Sequence, residues 1–252
     1  MIIAVENLHK SFGLKRALQG VTININSGQV YGLLGKNGAG KTTLLNCIVD
    51  ILKPDVGTVS LFDTNYEIHS LLIKTQLGVL LDSNPLIEEF SGSAYLEFVA
   101  RLLKLTRNEY LSRSSSVVSH FFDDPESIKK PIASFSTGMK KKLGLCAAML
   151  HKPTLLILDE PFSGLDPITA KKLLEFIQLY REYKRTVLLS SHDLGYVDKA
   201  ATHIGVLDDG KLLFDGTIDE FKANGDKLLD KALLDLLKPS NSDASALSWI
   251  VE

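Results

Sequence analysis

An apolar run at residues 29–34 breaks into Gly35-Lys36-Asn37-Gly38-Ala39-Gly40-Lys41-Thr42, and a helix-favouring stretch follows at 42–51. No other segment constrains the chain as tightly, because strand, glycine-rich loop and helix come in the one order that fits the GxxxxGK[ST] pattern completely. Gly35, Gly38 and Gly40 allow backbone N–H groups to turn inward and wrap an anion. The helix start adds partial positive charge. Lys41 has the reach for β- and γ-phosphates, and Thr42, with Thr43 beside it, offers a hydroxyl to Mg²⁺. A loop of this kind sits at the end of a buried strand, so it predicts an open, mostly parallel α/β sheet.

The rest of the chain fits that frame. Residues 2–8 and 17–25 read as β-rich, and 57–62 and 77–81 as further short strands. From about Asn84 to Lys130 the strand signal fades. Tyr95, Phe98, Val99, Leu102 and Leu103 recur at helical spacing within 92–105, a second helix is predicted over 108–122, and the polar stretch 123–131 reads as a loop. This region, about 84–150, is expected to be a helical lobe inserted into the α/β core. Strand signals return at 154–158 and 186–190, flanking an amphipathic helix over 167–183 that begins with Pro167. Residues 204–207 and 212–214 flank Asp208-Asp209-Gly210, a hairpin turn, and two short helices are expected after it. The main domain is expected to span 1–223. Within 224–252, the Ser-, Asn- and Asp-rich stretch 239–248 predicts a flexible tail, and Trp249 in it has no evident contact.

Composition excludes more than it proposes. The formal net charge is −2 and no basic block stands out, so no nucleic-acid or anionic-lipid footprint is expected. Cys47 and Cys146 lie far apart in apolar helix-like stretches and predict buried thiols, neither a zinc site nor a disulfide framework. No apolar run approaches the ~20 residues of a membrane span, and the N-terminal stretch turns polar too soon for a signal peptide. A soluble, cytoplasmic chain is expected, with any membrane role carried by another polypeptide.

Two further clusters are candidates for chemistry. The run Leu155-Leu156-Ile157-Leu158 ends in Asp159-Glu160. Taken alone, two acids closing a strand are as readily a solvated cap. Beside a phosphate loop, Asp159 suits Mg²⁺, directly or through water, and Glu160 suits the polarisation of an attacking water as general base. Ser190-Ser191-His192-Asp193 follows another short strand, and His192 there is placed to contact a γ-phosphate and hold the water.

The order GKNGAGKT, FSTGM (135–139), LLILDEP, SGLD (163–166) and SHD (191–193) resembles the ATPase subunits of ATP-binding cassette (ABC) transporters, over residues from about 2 to 221. Within them, the stretch STGMKKKLGLCAAMLHKPTLLILDEP is most similar to single-cassette ATPases of drug, bacteriocin or lantibiotic-immunity exporters. The resemblance implies the ABC ATPase fold: a P-loop NTPase core, an antiparallel β subdomain and an inserted helical subdomain. It also implies a head-to-tail dimer of two cassettes, identical or different, over two ATP molecules. A separate transmembrane permease would hold the chain on the inner face of the membrane. Ser136 and Gly138 then contact the γ-phosphate of the ATP bound by the partner subunit, at a segment whose family pattern is LSGGQ; Thr137 and Met139 depart from it. Phe12 falls where the family stacks an aromatic on adenine, although a core phenylalanine is the other reading. Asp166 resembles a loop aspartate that crosses the dimer, and it also suits an N-cap before Pro167. Asp82 stands where the family usually has Gln; as a shorter, charged side chain it is a candidate Mg²⁺ ligand, directly or through water. Lys140-Lys141-Lys142 reads as a solvated helix face or as an attraction for phosphate. A soluble relative acting on ribosomes or DNA is the alternative, disfavoured by one phosphate loop and no sustained heptads. A non-catalytic regulator is disfavoured by the retention of Lys41, Asp159, Glu160 and His192.

Overall fold

The computed structural model describes residues 1–82, 85–223 and 225–237. The start of the lobe at Asn84, the expected flexible tail at 239–248 and Trp249 lie outside the described residues. The strands are β1 (Ile3–Phe12), β2 (Lys15–Ile25), β3 (Val30–Leu34), β4 (Val56–Leu61), β5 (Leu77–Leu80), β6 (Leu155–Asp159), β7 (Thr186–Ser190), β8 (His203–Asp208) and β9 (Lys211–Thr217). The helices are α1 (Lys41–Ile48), α2 (Tyr66–Gln76), α3 (Gly92–Leu102), α4 (Arg107–Phe121), α5 (Thr137–Met149), α6 (Pro167–Glu182), α7 (Leu194–Ala200), α8 (Ile218–Phe221) and α9 (Leu229–Leu237).

Every residue of β3, β6 and β7 is buried. Continuous apolar strands of this kind belong in a parallel sheet covered on both faces. The sheet runs β5-β6-β7-β3-β8-β9, parallel throughout except for the β8–β9 hairpin. Because side chains alternate across a strand, Leu156 and Leu158 enter a core shared with the helical lobe. Leu155 and Ile157 enter a second core beneath the antiparallel sheet β2-β1-β4. α1 packs in that second core through Leu44, Leu45 and Ile48. Each buried leucine contributes about 2 kcal/mol.

The helical lobe is built from capped helices. Ser91 caps α3, Thr106 and Glu109 form a capping box on α4, and Ser136 caps α5. Leu96, Phe121, Ile132 and Phe135 carry the lobe into the first core beside Leu80 of β5. Cys47 and Cys146 are free and buried, as expected; burial pushes the Cys47 thiol up to about 11 and raises that of Cys146 as well.

Several expectations shift. The first two strands run longer than predicted and form one hairpin that turns at Gly13. Residues 49–51 leave the helix early, with Asp50 at φ 64°. The expected loop at 123–131 contains a 3₁₀ turn over Pro125–Lys129, started by the Asp124 side chain. The helix α2 was not anticipated: it buries only Ile73, exposes Ile68, Leu71 and Leu72, and is broken by non-helical dihedrals at His69. α7 was likewise absent from the sequence reading, since its seven residues are too few to show a period.

Asp166 caps α6: its carboxylate accepts from the Thr169 backbone N–H (2.9 Å) and from the Thr169 hydroxyl (2.6 Å), with Lys142 Nζ 3.1 Å away. The Thr169 hydroxyl and N–H, then Lys142, hold this carboxyl below the ordinary carboxylate range. A carboxyl depressed in the folded state stabilises above its unfolded pKa of about 4, and the contribution fades as pH falls further. Asp166→Ala is expected to lower unfolding stability by about 1 kcal/mol at neutral pH and Asp166→Asn by less. Denaturant titrations across pH should show the Ala deficit narrowing below about pH 4.

Candidate functional site

The parallel register delivers the site. Asp159 pairs with Ser190 across β6 and β7, and Leu33 pairs with Ser190 across β3 and β7, so three strands end together at one edge. Ligand chemistry in open α/β sheets gathers at such carboxyl ends. From β3 the chain turns through the glycine loop into α1. Gly40 has φ 109°, and a Cβ there would lie 2.5 Å from the Ala17 carbonyl oxygen, so glycine is required twice over.

A cleft of about 280 Å³ opens over this loop. Phe12 and Lys15 line one side, the loop from Lys36 to Thr43 the floor, and Asp82 and Glu160 the other side. Phe12 is 49% exposed, which removes the core reading; Lys10 Nζ lies 5.8 Å from its ring centroid. Gly35 and Ala39 lie beneath the loop surface, with Ala39 buried and Gly35 packed against the Leu207 carbonyl.

Lys41 is buried and its ammonium donates to the carbonyl oxygens of Gly35 (2.6 Å) and Lys36 (3.3 Å), with Glu160 Oε1 at 3.8 Å. The Thr42 hydroxyl donates to Asp159 Oδ2 at 2.9 Å. Asp159 is fully buried, and its other oxygen accepts from the Ser190 hydroxyl. Ser190 Oγ in turn accepts the Glu160 N–H at 3.0 Å. Glu160 itself adopts φ 46°, a left-handed conformation that costs about 1 kcal/mol or more in a non-glycine residue. Its carbonyl is held by the Ser163 N–H (3.2 Å) and by Lys141 Nζ (2.7 Å). The carboxylate accepts from His192 Nδ1 at 2.8 Å and from the His192 backbone N–H at 3.3 Å.

The residues therefore fall into two groups. Thr42, Asp159, Glu160 and His192 form one hydrogen-bonded network through Ser190, with Lys41 3.8 Å from Glu160 and with Asp82 and Phe12 on the rim. Ser136 and Gly138 do not line the cleft. They start α5, where Ser136 Oγ accepts the Met139 N–H and Gly138 packs near the Gly164 carbonyl. Two contributors escaped the sequence reading. Ser190 reads in the sequence only as a strand end, and the register that sets it beside Asp159 comes from the structure. Lys141 belongs to the run read as a solvated helix face or as an attraction for phosphate, and neither reading ties it to Glu160; burial draws its ammonium below the usual lysine range against the opposing charges of Asp82, Glu160 and Asp159.

Thr42, Asp159 and Asp82 present hard oxygen donors, which suit Mg²⁺. Among the described residues, no cluster of three or more His, Cys, Asp or Glu side chains forms a metal site by itself.

Fold and site together define a P-loop nucleotide-binding protein. The family model described as ABC transporter matches residues 18–163, more than half of the chain. The bacitracin transport ATP-binding protein BcrA of Bacillus licheniformis is 32% identical over 93% of this chain and 76% of its own length. The lantibiotic transport ATP-binding protein SrtF of Streptococcus pyogenes is 31% identical over 86% and 92%. Among solved structures, one described as the ATP-binding subunit of an ABC transporter superposes with a TM-score of 0.87 at 27% identity, covering 94% of this chain and all of that one. A dimeric ATP-binding cassette in a post-hydrolysis state, bound to ADP and Pi, shares the fold with a TM-score of 0.79 at 20% identity, covering 86% and 99%. The chain belongs to the ABC transporter ATP-binding family, and it is an ATP-binding, ATP-hydrolysing subunit.

Ser190→Ala removes a fully buried hydroxyl that serves both Asp159 and Glu160. Leaving those partners unsatisfied is expected to cost about 1–3 kcal/mol. Equilibrium denaturation with an unchanged m-value is the measurement.

Proposed function

We propose that this chain powers export through a separate transmembrane permease, as a dimer of cassettes that closes over ATP. The observation carrying the reading is the network at Glu160: its carboxylate meets His192 on one side and stands 3.8 Å from Lys41 on the other, at the rim of the phosphate-loop cleft. In that reading the loop from Gly35 to Thr43 wraps the phosphates of ATP, and Phe12 stacks on adenine. Lys41 neutralises the β- and γ-phosphates. Glu160 takes a proton from the attacking water, and His192 holds Glu160 and the γ-phosphate in register. Bound Mg²⁺, held by Thr42, Asp159 and Asp82, would supply further charge neutralisation at the phosphates.

Ser136 and Gly138 sit apart from their own cleft, which is the arrangement required if they serve the ATP of a second subunit. An exposed hydroxyl and free N–H groups at the start of α5 suit that anion. The unit doing this work is residues 1–223, with the lobe at about 84–150 transmitting closure to the permease and 224–252 as an appendage. Among the described residues no helix is long and apolar enough to cross a membrane, so the transmembrane path is assigned to the permease, with this chain on its cytoplasmic side. The export direction follows the bacitracin and lantibiotic transport relatives.

Glu160→Gln keeps shape and hydrogen bonding but cannot accept the proton. It is expected to bind ATP, to lose turnover by about 10²-fold or more, and to accumulate as a dimer in ATP and Mg²⁺ by light scattering. Full activity in this variant removes Glu160 as base, and a monomer under those conditions removes the closed dimer.

A further inference from the structure

The three consecutive lysines on α5 do three different things. Lys140 pairs with Glu88 and Lys142 with Asp166. Lys141 turns inward instead: it is half-buried and donates to the Glu160 carbonyl oxygen at 2.7 Å. That carbonyl belongs to the one residue of the network with a left-handed backbone. Lys141 thus ties the helix that begins at Ser136 to the end of β6.

Charge gives the contact a second role. Asp82 and Glu160 face the same cleft, and Asp159 lies directly behind Thr42. Three carboxylates therefore converge where a polyphosphate must sit, one more than a neutral glutamine at position 82 would give. Lys41 sits 3.8 Å from Glu160, but it is also the group expected to meet the phosphates. Lys141 donates directly to this network through the Glu160 carbonyl, within reach of the charges of Asp82, Glu160 and Asp159.

We propose that Lys141 is a positioning residue of the hydrolytic site, holding the strained Glu160 backbone and offsetting the carboxylate that Asp82 introduces beside the phosphates. This rests on the ATPase reading of the same cleft. Without the ammonium, the uncompensated carboxylates repel metal-free ATP and attract Mg²⁺ more strongly. The dependence of ATP binding on Mg²⁺ therefore steepens.

The test is ATP affinity of the full chain, measured in EDTA and in excess Mg²⁺, with the ratio of the two dissociation constants as readout. Lys141→Gln is expected to raise that ratio on the order of tenfold. Lys141→Arg should stay within about threefold of the parent, since it keeps the charge with a different head group. Asp82→Gln should lower the ratio, since it also removes a candidate Mg²⁺ ligand, and adding Lys141→Gln to it should raise the ratio by less than about threefold, against about tenfold on the parent. Lys140→Gln, whose charge pairs with Glu88 at the surface, should move it less than about twofold. A loss of packing alone would raise the ratio equally on both backgrounds. An unmoved ratio in Lys141→Gln, or a full rise of about tenfold on the Asp82→Gln background, overturns the proposal. If Lys141→Gln fails to fold, an Asp82→Gln ratio at or above the parent value does the same. A parent chain that binds no ATP even in Mg²⁺ removes the ATPase reading along with it, whereas normal parent binding with unmoved ratios removes only the role of Lys141.

Discussion

The hydrogen-bond chain from Thr42 to Asp159 to Ser190 to Glu160 joins the start of α1 to the ends of β6 and β7, on which the site stands. It begins in α1, crosses from β6 to β7 and returns to the residue after β6. Each link satisfies a polar group that would otherwise be buried without a partner. The parallel register of β6 and β7 is what makes the links short: a shift of one residue would turn Asp159 and Ser190 to opposite faces of the sheet. The apolar runs that make these strands insoluble alone are therefore also what aligns their polar ends.

α5 adds a second attachment to the same point. Its N-terminus carries the Ser136 segment, and the next turn carries three lysines whose partners are Glu88, the Glu160 carbonyl and Asp166. Those partners lie in the segment after Asp82, at the end of β6 and at the cap of α6. The helical lobe is thus joined to the Glu160 network through charged contacts as well as through the shared core of Phe135, Leu143 and Leu158. Phe162, stacked on Tyr196 with ring centroids 4.2 Å apart, connects the chain beyond Glu160 to α7, the helix that follows His192. The network is held from both flanks.

The sheet was legible because its signals are local and redundant. Leu155–Leu158 reads as a buried strand from composition alone, and the glycine loop between strand and helix admits one topology. The hairpin at Asp208–Gly210 carries its own turn chemistry. The structure adds what short-range patterns lack. α2 shows no clean stripe, because Ile68, Leu71 and Leu72 stay outside the core that takes Ile73. Ser190 looks like any strand serine until register sets it beside Asp159. Lys141 is indistinguishable in sequence from Lys140 and Lys142; helical rotation alone sets which of the three partly buried lysines meets the Glu160 carbonyl. Burial is a property of the packed molecule, so a run of identical residues cannot encode which one it selects.

The departure at Thr137 follows the same logic. The family pattern has two glycines where this chain has Thr137 and Gly138. Gly138 is half-buried, and a Cβ there would lie 3.0 Å from the Gly164 carbonyl oxygen, a contact tight enough that this carbonyl would have to give by a few tenths of an ångström. Thr137 opens the first turn of α5 and is exposed, so its side chain meets no part of its own subunit that would exclude it. Packing within the chain thus demands glycine at one of the two positions only. At the other, the restriction can come only from what approaches the start of α5 from outside, and a threonine there narrows that approach while adding a hydroxyl beside that of Ser136. Position 138 is thus constrained by the chain's own packing and position 137 by nothing within the chain, whereas Gly40 in the phosphate loop is fixed by the Ala17 carbonyl beneath it.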